Sequence, residues 1–215
     1  MNPIPYGKQE INDEDIDAVI KVLKSPYLTQ GPKVVEFENK FANYVGSDFA
    51  VAVSNGTAAL HLSALVMGVK KGDSVMCPSL TFSATANSIR YCNGEALFCD
   101  IDIDSFTLDL NYVEALLKKD KKNKIKGIIP VDFAGLPVNM EDLRFIADKY
   151  NKWIIEDACH APGAFFKNKN HQIIKTGSCR YNDLSIFSFH PVKHIATGEG
   201  GMITTNNKDL YYKLL

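Results

Sequence analysis

From residue 49 onward the chain alternates short apolar runs with stretches of helical periodicity, and this alternation constrains its fold more than any other feature. Val/Ile-rich runs near 49–54, 74–77, 96–100, 126–131, 153–156, 184–188 and 201–205 lack the polar/apolar alternation of a half-exposed strand. Runs of that kind suit strands covered on both faces. Helical patterns at about 57–67, 83–92, 111–118 and 140–150 fill gaps between them. Strands joined by helices imply right-handed crossovers. The expectation is an α/β fold with a mostly parallel seven-stranded sheet and helices on both faces.

Ahead of this pattern, Asn12 to Asp15 set polar and acidic residues before Ile16, Val19, Ile20 and Leu23, which recur at helical spacing. Ser25-Pro26 stops that helix. Tyr27 to Pro32 reads as a turn, and Val34, Phe37, Phe41 and Tyr44 mark a second amphipathic helix closed by Gly46. Residues 1–48 therefore read as a helical arm and 49–215 as the main domain.

Composition narrows the function classes. A chain of 215 residues, 46% hydrophobic and 23% charged, can bury a substantial core. Its formal net charge of -1 gives no general attraction to nucleic acid or to an anionic membrane. The basic run Lys118 to Lys124 reads as a solvated loop after a helix. No apolar run approaches the ~20 residues of a membrane span. The start, Met1-Asn2-Pro3-Ile4-Pro5, lacks the charged segment and apolar core of a signal peptide. A cytoplasmic protein is expected. Cys77, Cys92, Cys99, Cys159 and Cys179 show neither CxxC spacing nor the pattern of a disulfide framework. The short ligand spacings of a structural zinc site are missing too, so no metal is expected.

In open α/β sheets, ligands bind outside the carboxyl ends of the strands, and chemically useful residues cluster there. The first strand runs into Ser54-Asn55-Gly56-Thr57 at a helix start. Free amides, a glycine and a threonine hydroxyl make an anion cradle, although the same residues also suit an ordinary helix cap. The second strand leads to Phe82, an aromatic ring that either stacks on a planar ligand or joins the core. The fifth ends in Glu156-Asp157 with His160 close behind. A buried carboxylate needs a partner, such as a protonated pyridine nitrogen, while a metal pair or capped turn is the competing reading. The sixth brings Ser188, then Lys193 ahead of the glycine cluster Gly198, Gly200 and Gly201. A partly desolvated lysine amine is a nucleophile able to form a Schiff base; a solvated loop lysine is the plain alternative.

These segments, with Leu28-Thr29-Gln30-Gly31, Thr81-Phe82, Glu156 to His160 and Ser188 to Gly201, fall in an order that resembles the DegT/DnrJ/EryC1/StrS sugar aminotransferases. The likeness runs from Tyr6 to the last residue. It implies the large domain of a fold type I enzyme dependent on pyridoxal 5'-phosphate, bound by residues 49–215. By resemblance, Lys193 forms the Schiff base and shuttles the proton between substrate and cofactor. Asp157 pairs with the pyridine nitrogen, Phe82 stacks on the ring, Gly56, Thr57 and Ser188 hold the phosphate, and His160 lies near the phenolic oxygen. Tyr6, Tyr27, Leu28 and Thr29 resemble residues that touch the sugar nucleotide. Pro191 to Gly200 and His160 look most like the branch acting in pseudaminic acid biosynthesis. That branch moves an amino group from glutamate to C4 of a UDP-linked 4-keto-6-deoxy-N-acetylhexosamine. Dehydratases of the family carry histidine in place of the lysine, so Lys193 argues against them. The resemblance also implies a homodimer and a smaller C-terminal domain, which supplies an asparagine to the partner's phosphate site. The chain stops within a helical pattern at Leu215, so the expectation includes a fragment or a truncated, non-catalytic cofactor-binding remnant.

Overall fold

The computed structural model describes residues 3–5 and 7–215. Its strands are β1 (Phe49–Val53), β2 (Ser74–Pro78), β3 (Glu95–Cys99), β4 (Ile125–Ile128), β5 (Trp153–Asp157), β6 (Phe165–Lys167), β7 (Ile173–Lys175), β8 (Leu184–Ser188) and β9 (Gly201–Thr205). The helices are α1 (Asp13–Leu23), α2 (Pro32–Val45), α3 (Gly56–Val66), α4 (Ser83–Tyr91), α5 (Leu110–Lys119), α6 (Met140–Lys149) and α7 (Lys208–Leu214).

Seven strands form one sheet in the order β1-β9-β8-β5-β4-β2-β3. Neighbours from β3 through β8 are parallel, while β9 runs antiparallel to both β8 and β1. The sheet is thus mostly parallel, with β9 the one reversed strand. Side chains alternate between its faces, and both faces are covered. Val75 and Cys77 of β2, Ile155 of β5 and Ile186 of β8 pack with Ala59, Leu60 and Ala64 of α3 and Leu210 of α7. Met76, Ile128 and Ile154 point the other way, against Val113 and Leu117 of α5 and Leu143 and Ala147 of α6. On that same side Phe187 and Met202 meet Phe41, Ala42 and Val45 of α2. Burial of apolar side chains on both faces explains why the strands read as continuous apolar runs.

The helical arm divides in two. An Asn12/Asp15 capping box opens α1, yet α1 buries no residue. Helix α2 starts at Pro32, ends on the left-handed Gly46, and docks through Phe41, whose ring meets Phe187 edge-on at 4.8 Å.

Three features depart from the sequence reading. The run at 126–131 is a strand only to Ile128, because Pro130 has no N–H to continue the ladder; beyond it a single bridge joins Val131 to Asp157. Residues 165–175 form an antiparallel hairpin, β6 with β7, outside the main sheet. The segment 189–200 holds no helix, so β9 returns antiparallel to β8 rather than by a parallel crossover.

Candidate active site

Four strand ends converge on a cavity of about 580 Å3. Gly56, Thr57, Phe82, Asp157, His160, Ser188 and Lys193 all line it. Tyr27, Leu28 and Thr29 do not line it and are exposed, and Tyr6 lies outside the described residues.

The turn from β1 into α3 is shaped by Asn55, whose side-chain oxygen accepts from the Ala58 N–H at 2.9 Å. This cap leaves the Gly56 and Thr57 amides at the helix start, where no intrahelical acceptor exists. Gly201, the first residue of β9, passes directly beneath: a β-carbon there would come within 2.6 Å of the Asn55 carbonyl. The same crowding holds at Gly56, where a β-carbon would meet Cys159 Sγ at 3.2 Å as well as Ser188. Gly56 and Thr57 at the helix start and Ser188 beside them line the cavity, an arrangement that suits an anion held close to the main chain.

Phe82 is the N-cap residue of α4 and is 70% exposed, which excludes the core reading for this ring. Across the cavity Asp157 ends β5 and is 4% exposed. Its Oδ2 accepts from Thr85 Oγ1 at 2.8 Å, and its Oδ1 accepts from the Cys159 N–H at 3.3 Å. The neighbouring acid, Glu156, points to the opposite side of the sheet, where it accepts from the Gly177 N–H at 2.9 Å and Ser185 Oγ at 2.5 Å. Strand alternation therefore gives the two adjacent acids separate tasks.

His160 follows in the loop after β5 and accepts at Nδ1 from the Ala134 N–H at 3.4 Å. Burial holds its imidazole below the ordinary value of 6.5, and the charge of Lys193 pushes the same way, against Asp157. A neutral ring with Nδ1 accepting presents Nε2–H as a donor. Ala134 reaches this position with a left-handed backbone, φ 52°, in the short 3-10 turn Phe133–Gly135.

Lys193 is half-buried in the loop between β8 and β9. Its N–H donates to the His190 carbonyl at 2.8 Å. The loop is pinned at its base by Phe189, which accepts from the Thr197 N–H at 2.9 Å and donates to the Gly200 carbonyl at 2.9 Å. Phe189 is itself fully buried against Phe37 and Phe41. The aromatic cluster under α2 thus fixes the segment that carries the lysine. Burial also raises the Cys159 thiol well above its ordinary value, which keeps it protonated beside Asp157. Among the described residues no cluster of three or more His, Cys, Asp or Glu has the geometry of a metal site. No helix among them is long and apolar enough to cross a membrane.

Sequence reasoning missed Thr85, the direct partner of Asp157. The contact spans 72 residues of sequence, and a threonine inside a small-residue helix carries no local sign of it.

Comparison with known proteins bears on the family and the fold. A profile of the DegT/DnrJ/EryC1/StrS aminotransferase family matches residues 9–215. The UDP-4-amino-4,6-dideoxy-N-acetyl-beta-L-altrosamine transaminase of Campylobacter jejuni subsp. jejuni serotype O:23/36 is 43% identical over 211 residues, covering 98% of this chain and 54% of that protein. The GDP-perosamine synthase of Caulobacter vibrioides is 40% identical over 212 residues, covering 98% and 54%. Among solved structures, Spr1654 from Streptococcus pneumoniae in its PLP form superposes with a TM-score of 0.88 at 28% identity, covering 98% of this chain and 56% of that one. A PMP form of the same protein gives 0.88 as well. The chain spans about half the length of the curated relatives it matches.

Proposed function

The chain belongs to the DegT/DnrJ/EryC1/StrS aminotransferase family, and on that premise we propose that its cavity holds pyridoxal 5'-phosphate and serves transfer of an amino group to a nucleotide-linked keto sugar. Pyridoxal 5'-phosphate is the cofactor of the family. The observation that carries the reading is the convergence of Lys193, Asp157, Phe82 and the Gly56–Ser188 cradle on one cavity from four separate strand ends.

The residues fit the group. Gly56, Thr57 and Ser188 would take the phosphate, where a helix start offers amides and Ser188 a hydroxyl at the cavity wall. Phe82 offers an exposed ring face for stacking, and Asp157 a buried carboxylate able to hold a proton on the pyridine nitrogen. His160 would donate from Nε2 to the phenolic oxygen. Lys193 Nζ is the covalent anchor. When bound, the cofactor supplies an electron sink conjugated to the reacting carbon. Once the substrate amine has displaced it from that anchor, the freed Lys193 Nζ would move the proton at that carbon.

The finer reading rests on resemblance. Glutamate is the donor and the acceptor is C4 of a UDP-linked 4-keto-6-deoxy-N-acetylhexosamine, in a pseudaminic-acid-like route within the cytoplasm. The similar transaminase at 43% identity favours this sugar, while a GDP-perosamine synthase at 40% stands close behind it. Tyr6, Tyr27, Leu28 and Thr29 are assigned to the sugar nucleotide and the active unit to a homodimer. Residues 49–215 form the cofactor-binding unit and 1–48 the arm.

The test is the visible absorbance of the chain after adding pyridoxal phosphate, beside Lys193→Ala. Glutamate and the UDP- and GDP-linked keto sugars are then added in turn. A band that requires Lys193, is bleached by glutamate and returns with the UDP sugar is expected. Turnover by folded Lys193→Ala would overturn the assignment. A band without turnover would mark a cofactor-binding unit only.

A further inference from the structure

The structure assigns Thr85 a positioning role toward the acid of this cavity, an assignment that rests on the cofactor reading above and extends it. Thr85 lies within the first turn of α4 and is fully buried. Its Oγ1 donates to Asp157 Oδ2 at 2.8 Å. An ionised carboxylate only accepts, so the single Thr85 hydroxyl proton is committed to Asp157. The 2.8 Å contact between Thr81 Oγ1 and Thr85 Oγ1 must then run the other way, with Thr81 donating. The two hydroxyls form a one-way chain from the cavity wall, which Thr81 lines, to the carboxylate.

Packing alone does not call for threonine here. Valine has nearly the same shape, and a fully buried hydroxyl is unfavourable unless bonded. With Oδ2 held by Thr85 and the Cys159 N–H at Oδ1, the carboxylate plane is fixed from both ends. The Thr85 N–H also donates to the Phe82 carbonyl at 3.0 Å. One helical turn therefore ties the ring that would stack on the cofactor to the acid that would face its nitrogen. Thr85 sets the spacing between them.

The experiment titrates the full chain with pyridoxal phosphate across a pH series, following absorbance, for wild type, Thr85→Val, Thr85→Ser and Lys193→Ala. Thr85→Val is expected to bind the cofactor about ten- to a hundredfold more weakly, the effect of losing a hydrogen bond to a charged group. The pH at which the bound ring loses its nitrogen proton moves away from the wild-type midpoint, because the carboxylate loses a donor and its fixed plane. Thr85→Ser restores both. Thr81→Val gives a smaller change in the same direction and replaces Thr85→Val should that variant not fold. If the valine variants lose stability but keep the affinity and pH midpoint of wild type, Thr85 is structural and the proposal is overturned. A wild type without a Lys193-dependent band removes the cofactor reading itself, and this proposal with it.

Discussion

Gly56 and Ser188 stand so close that a β-carbon on Gly56 would lie 2.9 Å from the Ser188 Cβ, although one opens α3 and the other closes β8. A Gly56→Ala variant therefore has to push the helix start off the strand end. Overpacking of this kind costs about 1–3 kcal/mol. The expected result is cofactor affinity reduced by at least about tenfold with the fold retained, read by absorbance titration. Unchanged affinity would mean that the Ser188 side of the cradle yields.

A second close approach lies away from the cavity. Gly127 on β4 pairs with Trp153 on β5, and a β-carbon on Gly127 would fall 2.1 Å from the indole ring. Gly127→Ala should lower the urea midpoint by an amount worth about 1–3 kcal/mol. Adding Trp153→Leu should recover part of that loss. Additive losses in the double variant would show that the glycine is needed for some other reason.

Much of this architecture was legible beforehand, because a sheet buried on both faces writes each strand as an unbroken apolar run. The β6–β7 hairpin was not, since three-residue strands around Asn168 and Asn170 are too short and too polar to show a period. The reversal at β9 had a readable cue in the helix-free segment 189–200, which is too poor in structure for a parallel crossover. At the site, Asp157 and Ser188 were legible because they end apolar runs, and Lys193 because it stands between such a run and a glycine cluster. The support beneath them could not be found, because Thr85, Phe189 and the Ala134 N–H reach their partners through tertiary contacts alone.

Two acids on the far side of the sheet from Asp157 shape the pH response. Asp132 is fully buried, and burial together with the charge of Glu156 raises its carboxyl well above 3.8. Burial likewise raises Glu156 above 4.5, against its bonds from Ser185 and Gly177. A carboxyl raised in the folded state favours folding fully below its unfolded value, and the advantage is lost as pH climbs through the folded value. The contribution of these groups should therefore begin to fall above about pH 4, the unfolded value, as pH climbs toward their raised folded values. Asp132→Asn, which keeps an oxygen for the Val138 N–H, should flatten that dependence in urea denaturation. An unchanged slope would show that Asp132 does not titrate in this range.

Thiol chemistry offers a separate check on burial. Cys77, Cys99 and Cys179 are each pushed up to about 12, and Cys92 and Cys159 are raised too, all chiefly by burial. Because the thiolate is the reactive form, the native protein should react only slowly with a thiol reagent at neutral pH. All five cysteines should react at once in denaturant. Fast labelling of native Cys77, Cys92, Cys99 or Cys179, the four buried thiols, would reveal local opening.

The position of β9 between β1 and β8 imposes an order on biosynthesis. A ribosome delivers β1 before the other strands of this sheet, yet its neighbour among the described residues, β9, follows all of them, and the Asp48 N–H waits for Asn206, 158 residues later. Until then the β1–α3 turn has no Gly201 beneath it and the apolar edge of β1 stays uncovered. The anion cradle is thus completed only when the reversed strand slots in, so nascent chains stopped before that point carry an open edge for chaperones to shield.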